Sequence, residues 1–415
     1  MTQAKSTKLF ANPFRPGAGH PPPYLAGRQE ERTEFQRLLG QTTVLENVVL
    51  TGLRGVGKTV LLDSFKPLAI QANWAWVSND FSESTSVSEE ALAIRMLTDL
   101  SVVTSTLTVG SAEQKVIGFG KTSEKSDVKL TFDVLKQVFD LSPGLVSDKL
   151  TAVLDLSWTV VSQSKQGIVF AYDEAQNLSD QSGSRQYPLS VLLQVFQSLQ
   201  KRGMRFLLVL TGLPTLFPKL VEARTFTERM FRVLFLSRLD DQDSREAILK
   251  PISEAGCPVK FDKPSVDLIA RTSAGYPYFI QYICRDCYDA FISNLASSGK
   301  PGMVPIDSII RKLDSDFFAG RWARATDRQR DLLGIIARLP TSDEEFTVQE
   351  VVDASSKWMD KPFSSSHANQ MLAALGKAGL VYKNRHGKYS FAVPLFGQFV
   401  LRQIGQVTPV HLKDE

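Results

Sequence analysis

A glycine-rich loop directly after a short apolar run constrains this chain more than any other feature of its sequence. The apolar run, residues 48–51, has the composition of a buried strand, and it is followed at the spacing G-x-x-x-x-G-K-[ST] by Gly52, Gly57, Lys58 and Thr59. A helical pattern comes next, which completes the strand, loop and helix of a phosphate-binding site. An ordinary glycine-rich turn is the alternative, and it would not require this order of elements.

This loop carries the residues with which Walker A sequences hold Mg-ATP. Its backbone N–H groups would surround the phosphates, Lys58 would neutralise the terminal phosphates and assist catalysis, and Thr59 would bind Mg²⁺. The residues of the loop that we expect to bind ATP are Gly52, Leu53, Arg54, Gly55, Val56, Gly57, Lys58, Thr59 and Val60.

A pair of carboxylates follows another buried run, residues 168–172. Asp173 and Glu174 come at the carboxyl end of that predicted strand, where ligands bind in open α/β sheets. Asp173 can hold Mg²⁺ through water, and Glu174 can polarise the attacking water as a general base. An acidic pair that caps the next helix is the alternative. At the end of the run 206–211, Thr211 can orient water or sense the terminal phosphate, unless it only serves the following turn.

The order of the apolar runs predicts the fold class. Helical patterns separate the runs, and strands that alternate with helices indicate a parallel α/β sheet. The stretch 80–166 is too long for a plain crossover, so we expect an insertion with helices at 89–102 and 145–161 and a β-hairpin at 115–118 and 127–134. The predicted strands are residues 48–51, 74–77, 168–172, 206–211 and 233–237.

At 415 residues the chain exceeds the roughly 250–300 residues at which a single hydrophobic core stops growing, so several domains are expected. Proline and glycine between residues 12 and 24 exclude a helix there, and past residue 240 the pattern becomes all-helical. The pattern of three helices and a hairpin at the end is typical of a winged helix. The predicted domains are an arm (1–23), an α/β ATPase domain (24–239), a helical lid (240–320), a winged helix (321–403) and a tail (404–415).

Composition narrows the classes of partner. A formal net charge of +4 is too small to indicate nucleic-acid binding by itself. Three cysteines do not fit a secreted disulfide framework, and Cys284 and Cys287 have no second pair with which to complete a zinc site, so we expect them in a core. No signal peptide or membrane-length apolar run is visible. We therefore expect a cytoplasmic protein with no membrane partner and no metal other than Mg²⁺.

Seven segments of the chain, in this order, carry a resemblance to a known family: NPFRPGAGHPPPYLAGRQEE, LRGVGKTVLL, DEAQ, LTGLP, TERMF, AGYPYFIQ and VPLFGQF. With them the chain resembles the origin-recognition-like AAA+ ATPases, and within that family a group of bacterial ATP-binding proteins with a C-terminal winged helix. The resemblance spans nearly the whole chain. It implies a P-loop NTPase fold in which Tyr24 and Arg28 line the adenine and Thr211 is the sensor 1 residue.

The resemblance also implies an arginine finger, which acts on the ATP of a neighbouring subunit and therefore requires a homo-oligomer. Arg229 falls where such a finger precedes the fifth strand, with Arg224 and Arg232 as rivals. One departure is visible in the lid. Many relatives have an arginine in the place where this chain has Tyr278, after Pro277, so the lid would report the nucleotide state differently or hydrolysis would be slow.

Two kinds of partner remain open for the predicted winged helix. Its recognition helix would be residues 366–377, where Asn369 and Gln370 are the side chains best suited to reading bases. Basic residues of the wing suit contacts with the phosphates of double-stranded DNA: Lys383, Arg385, His386 and Lys388. Winged helices also dock proteins, so a partner protein is the alternative.

The function that these features predict is an ATP hydrolase that drives assembly or remodelling on DNA or on a partner protein. A nucleotide-gated signalling switch or scaffold with slow turnover is the alternative. A metabolic kinase is a more distant third, because no acceptor site is visible and the lid is followed by a predicted winged helix.

Overall fold

A computed structural model describes residues 11–405 of the chain, except 18, 107, 115–123, 258, 301 and 386. In the described residues the strands are β1 (Asn47–Gly52), β2 (Trp74–Asp80), β3 (Thr108–Gln114), β4 (Glu124–Lys129), β5 (Gly167–Asp173), β6 (Phe206–Gly212), β7 (Phe231–Leu236), β8 (Phe346–Thr347), β9 (Val381–Arg385) and β10 (Lys388–Phe391). The helices are α1 (Gln29–Leu39), α2 (Lys58–Gln71), α3 (Glu89–Thr104), α4 (Phe132–Leu141), α5 (Val146–Val161), α6 (Pro188–Lys201), α7 (Leu216–Ala223), α8 (Asp241–Glu254), α9 (Lys263–Ser273), α10 (Pro277–Ser298), α11 (Ile306–Leu313), α12 (Ala319–Trp322), α13 (Asp327–Ala337), α14 (Val348–Trp358), α15 (Ser365–Lys377) and α16 (Phe396–Gln403).

One compact unit, formed by Arg28–Gly52 and Leu61–Leu236, contains a parallel sheet in the order β2-β5-β6-β1-β7. Every residue of β1, β5 and β6 is buried, as expected for strands covered on both faces. The predicted strands and the parallel α/β fold class are confirmed. In this register the carboxyl ends of β1, β5 and β6 lie along one edge of the sheet, which we call the carboxyl edge.

The insertion between β2 and β5 contains α3, the β3–β4 hairpin, α4 and α5. Helices predicted at 89–102 and 145–161 are present, whereas the strand predicted at 127–134 is wrong beyond Lys129. There, Leu130 is buried, and its carbonyl accepts a hydrogen bond from Thr104 Oγ1 at 2.7 Å. Helix α4 then begins at Phe132, because Leu135 and Phe139 bury one helical face at a spacing of four. The first predicted hairpin strand, 115–118, lies outside the described residues.

The other compact unit comprises the described parts of Met1–Gly27, Leu53–Val60 and Ser237–Glu415. One hydrophobic core runs through it and includes residues of α8 to α16. The N-terminal segment, which forms no helix or strand where it is described, inserts Phe14 into this core against Phe261, with ring centroids 6.3 Å apart. Cys284 and Cys287 are free and buried in the same core, as predicted, and burial raises the pKa of both thiols.

The C-terminal part of this unit has the element order α13, β8, α14, α15, β9, β10. Its strands form an antiparallel sheet in the order β8-β10-β9. The chain then returns in α16, where Arg402 pairs with Asp314 at 2.6 Å and Phe396 packs against Phe391. The predicted recognition helix corresponds to α15, on which Asn369 and Gln370 are exposed.

Candidate functional site

The glycine-rich loop has a backbone that requires glycine at two positions. Strand β1 ends at Gly52 on the carboxyl edge, and α2 begins at Lys58. Gly55 and Gly57 have φ values of +80° and +91°, and a Cβ at Gly57 would meet nothing within 4 Å. Side chains other than glycine rarely adopt such φ values, so the sequence pattern and the loop geometry agree. Helix α2 has no acidic residue in its first turn, which leaves its N-terminal end suited to anions.

The lysine of this loop is folded back onto the loop itself. Lys58 Nζ donates a hydrogen bond to the carbonyl oxygen of Leu53 at 2.9 Å. Val56, which lies between these two residues in the sequence, has a buried side chain. The ammonium group is therefore held close to the loop backbone whose N–H groups would surround a phosphate. The loop and Lys58 fit the triphosphate of ATP by this arrangement.

Tyr278 contacts the glycine-rich loop. Its backbone N–H donates to the carbonyl oxygen of Gly55 at 3.2 Å, and a Cβ on Gly55 would lie 3.3 Å from Tyr278 Cβ. The Tyr278 ring packs on Phe317, and the guanidinium of Arg321 lies 4.3 Å from the centroid of the Phe317 ring. Burial, and then the positive charge of Arg54, lowers the pKa of Arg321. Tyr278 on α10 and Arg321 on α12 thus both lie near the glycine-rich loop.

Asp173 is buried at the carboxyl edge and accepts hydrogen bonds from neighbouring residues. Its Oδ1 accepts from the hydroxyl of Thr211 and from the backbone N–H of Glu174, the latter at 2.7 Å. Thr211 is completely buried, and Asp173 is 5% exposed. The strand pairing between β5 and β6 explains the contact, since Tyr172 and Leu210 are register partners one residue before the two side chains. The predicted metal ligand and the predicted sensor are therefore in direct contact.

Glu174 has an unusual backbone and an exposed side chain. Its φ and ψ are 50° and 34°, in the left-handed region that residues other than glycine rarely adopt. Such strained residues cluster at functional sites. Its carboxylate accepts a hydrogen bond from the side-chain amide of Gln176, in the short helical turn Ala175–Asn177.

Two further carboxylates lie near Asp173 in the same unit. Desolvation, followed by the negative charge of Asp173, raises the pKa of Asp63 on α2 and of Asp80 at the end of β2. Asp80 is the register partner of Asp173 in the sheet, and Glu174 adds to the shift of Asp80. This concentration of negative charge suits a divalent cation, although no group of three or more candidate ligands is arranged around one point among the described residues. One carboxylate with phosphates and waters is the way in which proteins usually bind Mg²⁺.

The side chains predicted to line the adenine already have partners. Tyr24 donates from its hydroxyl to Glu246 Oε2 at 2.8 Å, and this hydrogen bond raises the pKa of Tyr24. Arg28 is buried and pairs with Glu31 at 3.4 Å.

The candidate arginines differ in what engages them. Arg232 pairs with Glu34 at 3.1 Å, and Arg224 Nη2 donates to Gln194 Oε1 at 3.3 Å. Arg229 is exposed at the end of the turn Thr225–Arg229, just before β7. Within the part of the chain that the structure describes, no hydrogen bond or ion pair engages the Arg229 side chain.

The structure brings Asp173, Glu174 and Thr211 together on one edge, and the same edge leads through Gly52 into the glycine-rich loop. Sequence reasoning missed Gln176 and Asp80. Gln176 is the last residue of the DEAQ segment. Its position, two residues after the predicted base, could have marked it as a polar neighbour of Glu174. Asp80 follows the run 74–77, and the carboxyl-edge argument used for Asp173 would have found it.

Two parts of the chain match models of known protein families. Residues 24–209 match a family model described as AAA ATPase domain, and residues 315–400 match one described as a domain of unknown function. A search of curated proteins found no match to the chain. In the described residues, no helix is both long enough and apolar enough to cross a bilayer.

Solved structures share the fold. The Walker-type ATPase of Pyrococcus abyssi is 15% identical, with a TM-score of 0.56, over 91% of this chain and 96% of that chain. The ORC2 protein of Aeropyrum pernix in its ADP form is 13% identical, with a TM-score of 0.52, over 94% of this chain and 98% of that chain. At these identities the similarity concerns the fold alone.

Proposed function

We propose that this chain, whose residues 24–209 match a model of the AAA ATPase domain, is an ATP hydrolase in which hydrolysis of Mg-ATP drives assembly or remodelling on DNA or on a partner protein. The observation that carries this proposal is the carboxyl edge. Asp173, Glu174 and Thr211 are joined there by hydrogen bonds, and the strand beside them leads into a loop with two left-handed glycines and Lys58.

In this proposal the glycine-rich loop binds the triphosphate, and Lys58 exchanges its bond with the Leu53 carbonyl for bonds with the phosphates. Tyr24 and Arg28 are assigned to the adenine. The full set of proposed nucleotide-binding residues is Gly52, Leu53, Arg54, Gly55, Val56, Gly57, Lys58, Thr59, Val60, Tyr24 and Arg28.

Thr59 and Asp173 would hold Mg²⁺, which supplies neutralisation of the phosphate charge when it is bound. Glu174 is the proposed general base, because its carboxylate is exposed on the turn that follows β5. Thr211 is assigned to sensing the terminal phosphate through its hydrogen bond with Asp173.

We assign the arginine finger to Arg229. It is exposed and unengaged among the described residues, whereas Arg232 and Arg224 have partners within the chain. It also directly precedes β7, an edge strand of the sheet on which Phe235 is 60% exposed. An exposed edge with a large apolar side chain supports contact with a second copy of the chain. The proposed active form is thus a homo-oligomer.

The C-terminal elements α13 to α15 with β8 to β10 have the order of a winged helix, and we propose that this part contacts the partner. Lys383 is exposed on β9, and Lys388 starts β10. Arg385 belongs to the same hairpin, while His386 lies outside the described residues. The exposed face of α15 and this basic hairpin support double-stranded DNA as the partner, with a protein as the alternative.

Two variants test the assigned chemistry. Lys58→Ala should weaken ATP binding by about tenfold or more, because charged hydrogen bonds to phosphate are lost. Glu174→Gln should keep ATP affinity and lower kcat by about 10²–10⁴, the contribution of a general base. Nucleotide titration and steady-state turnover measure both effects.

Lys66→Ala, which removes an exposed lysine from the same helix as Lys58, is the matched control and should change neither quantity. Equal losses of affinity in the Lys58 and Glu174 variants would show that Glu174 has been given the wrong role.

A further inference from the structure

A glutamine holds the carboxylate of the proposed base. The Nε2 group of Gln176 donates to Glu174 Oε2, and its Oε1 accepts from the backbone N–H of Leu213 at 3.2 Å. One amide thereby joins the residue after β5 to the residue after β6. Space for the amide depends on Gly212, since a Cβ there would lie 2.6 Å from Gln176 Oε1.

The backbone of Gln176 is also held in place. Lys219 Nζ on α7 donates to the carbonyl oxygen of Gln176 at 2.6 Å, and burial lowers the pKa of this lysine. On the other side, Asn177 Nδ2 donates to the carbonyl oxygen of Phe81 at 2.9 Å. The turn that presents the amide to Glu174 is therefore held by α7 and by the residue that follows β2.

We propose that Gln176 is a positioning residue for Glu174, which orients the carboxylate for attack on ATP and ties its position to the end of β6. The inference rests on the proposed function, in which Glu174 is the base. An exposed glutamate has several rotamers of similar energy, and the amide selects among them. Because β6 also carries Thr211, a shift of that strand would move the amide and the carboxylate together.

Three variants change this contact in different ways. Gln176→Ala removes both hydrogen bonds, and Gln176→Glu keeps an acceptor for Leu213 while placing a second carboxylate beside Glu174. Gly212→Ala leaves the glutamine in place and crowds its Oε1. Each should lower kcat by roughly 10- to 100-fold, the scale of a small misplacement of a catalytic group, and leave ATP affinity unchanged. Gln163→Ala is the control and should match the wild type, because Gln163 is an exposed residue just after α5 whose side chain donates to the carbonyl oxygen of Thr159.

The double variant Glu174→Gln with Gln176→Ala separates positioning from a structural role. If Gln176 acts through Glu174, the double variant should turn over ATP at the rate of Glu174→Gln alone, within about twofold. Losses that multiply, a parallel loss of ATP affinity, or wild-type kcat in Gln176→Ala would each overturn the inference. Full turnover in Glu174→Gln itself would instead contradict the proposed function, so the two failures are distinguishable.

Discussion

The hydroxyl of Thr211 is buried against the carboxylate of Asp173 at the carboxyl edge. A carboxylate that is nearly inaccessible to water needs hydrogen-bond partners, and Thr211 and the Glu174 N–H are two of them. Thr211 thus has a structural task that its sequence position alone did not reveal. This structural role is compatible with sensing. If the Thr211 hydroxyl turned to donate to the terminal phosphate of ATP, Asp173 would lose that hydrogen bond.

Thr211→Ala should lower the free energy of unfolding by about 1–3 kcal/mol, since the buried carboxylate of Asp173 loses one of its hydrogen-bond donors. Thr211→Ser keeps the hydroxyl and should recover most of that loss. Chemical denaturation of both variants measures the difference. Equal destabilisation by alanine and serine would mean that the methyl group, and not the hydrogen bond, matters at this position.

The acidic edge also predicts a dependence on pH. Desolvation and the Asp173 charge raise the pKa of Asp63 in the folded protein, so the folded state holds its proton to higher pH than the unfolded state. The contribution of Asp63 to stability is therefore present in acid and is lost as pH rises through the raised pKa. Asp63→Asn should be more stable than the wild type near pH 7 without nucleotide, and the difference should shrink toward about pH 4.

Denaturation across this pH range tests the sign of the Asp63 effect. Asp133→Asn, an exposed aspartate on α4, serves as the control and should follow the wild type. An Asp63→Asn protein that is less stable than the wild type near neutral pH would show that the aspartate is favourably paired there.

At the scale of elements, sequence reasoning was reliable where one physical cause dominates. The strands of the sheet are continuous apolar runs buried on both faces, and such runs are visible without tertiary information. The segment after Lys129 was misread because Leu130, Phe132 and Val134 alternate like a strand over a short window. Only the longer period that includes Leu135 and Phe139 identifies the helix.

Some features of the candidate site could be predicted from the sequence, and others could not. The glycine-rich loop and Asp173 were predictable, because their chemistry fixes residue types at fixed spacing or at a strand end. The bond from Gln176 to Glu174 and the raised pKa of Asp80 were not, since they depend on the left-handed turn at residue 174 and on the pairing of β2 with β5. Contacts between separate elements are not encoded in local patterns.

The hairpin β9–β10 is the proposed contact with DNA. If it contacts DNA phosphates, changing Lys383, Arg385 and Lys388 to Ala should weaken binding at every sequence. The slope of log affinity against log salt should fall by about 0.9 for each phosphate contact removed. Binding titrations at several salt concentrations give both quantities.

A matched control changes three exposed lysines between α8 and α11 to Ala and so removes the same charge elsewhere. These lysines are Lys260, Lys263 and Lys300. This control should leave the slope and the affinity close to those of the wild type. Unchanged DNA affinity in the hairpin variant would assign the C-terminal part to a protein partner instead.

At the scale of the whole molecule, the proposed active site requires more than one copy of the chain. Each proposed active site takes Lys58 and Glu174 from one subunit and Arg229 from the next. Arg229 is exposed beside an edge strand whose Phe235 is also exposed, so these residues are available to a neighbour. Turnover per subunit should consequently rise with protein concentration.

The most direct test of shared ATP hydrolysis is a mixing experiment. Arg229→Ala should keep ATP affinity and slow turnover by about 10³-fold or more, the scale associated with loss of an arginine finger. Glu174→Gln should also be slow, and a mixture of the two inactive proteins should regain part of the wild-type turnover, because some interfaces then pair an intact Glu174 with an intact Arg229. If no mixing ratio restores activity while both variants remain folded and assembled, Arg229 does not act across subunits, and the shared site is contradicted.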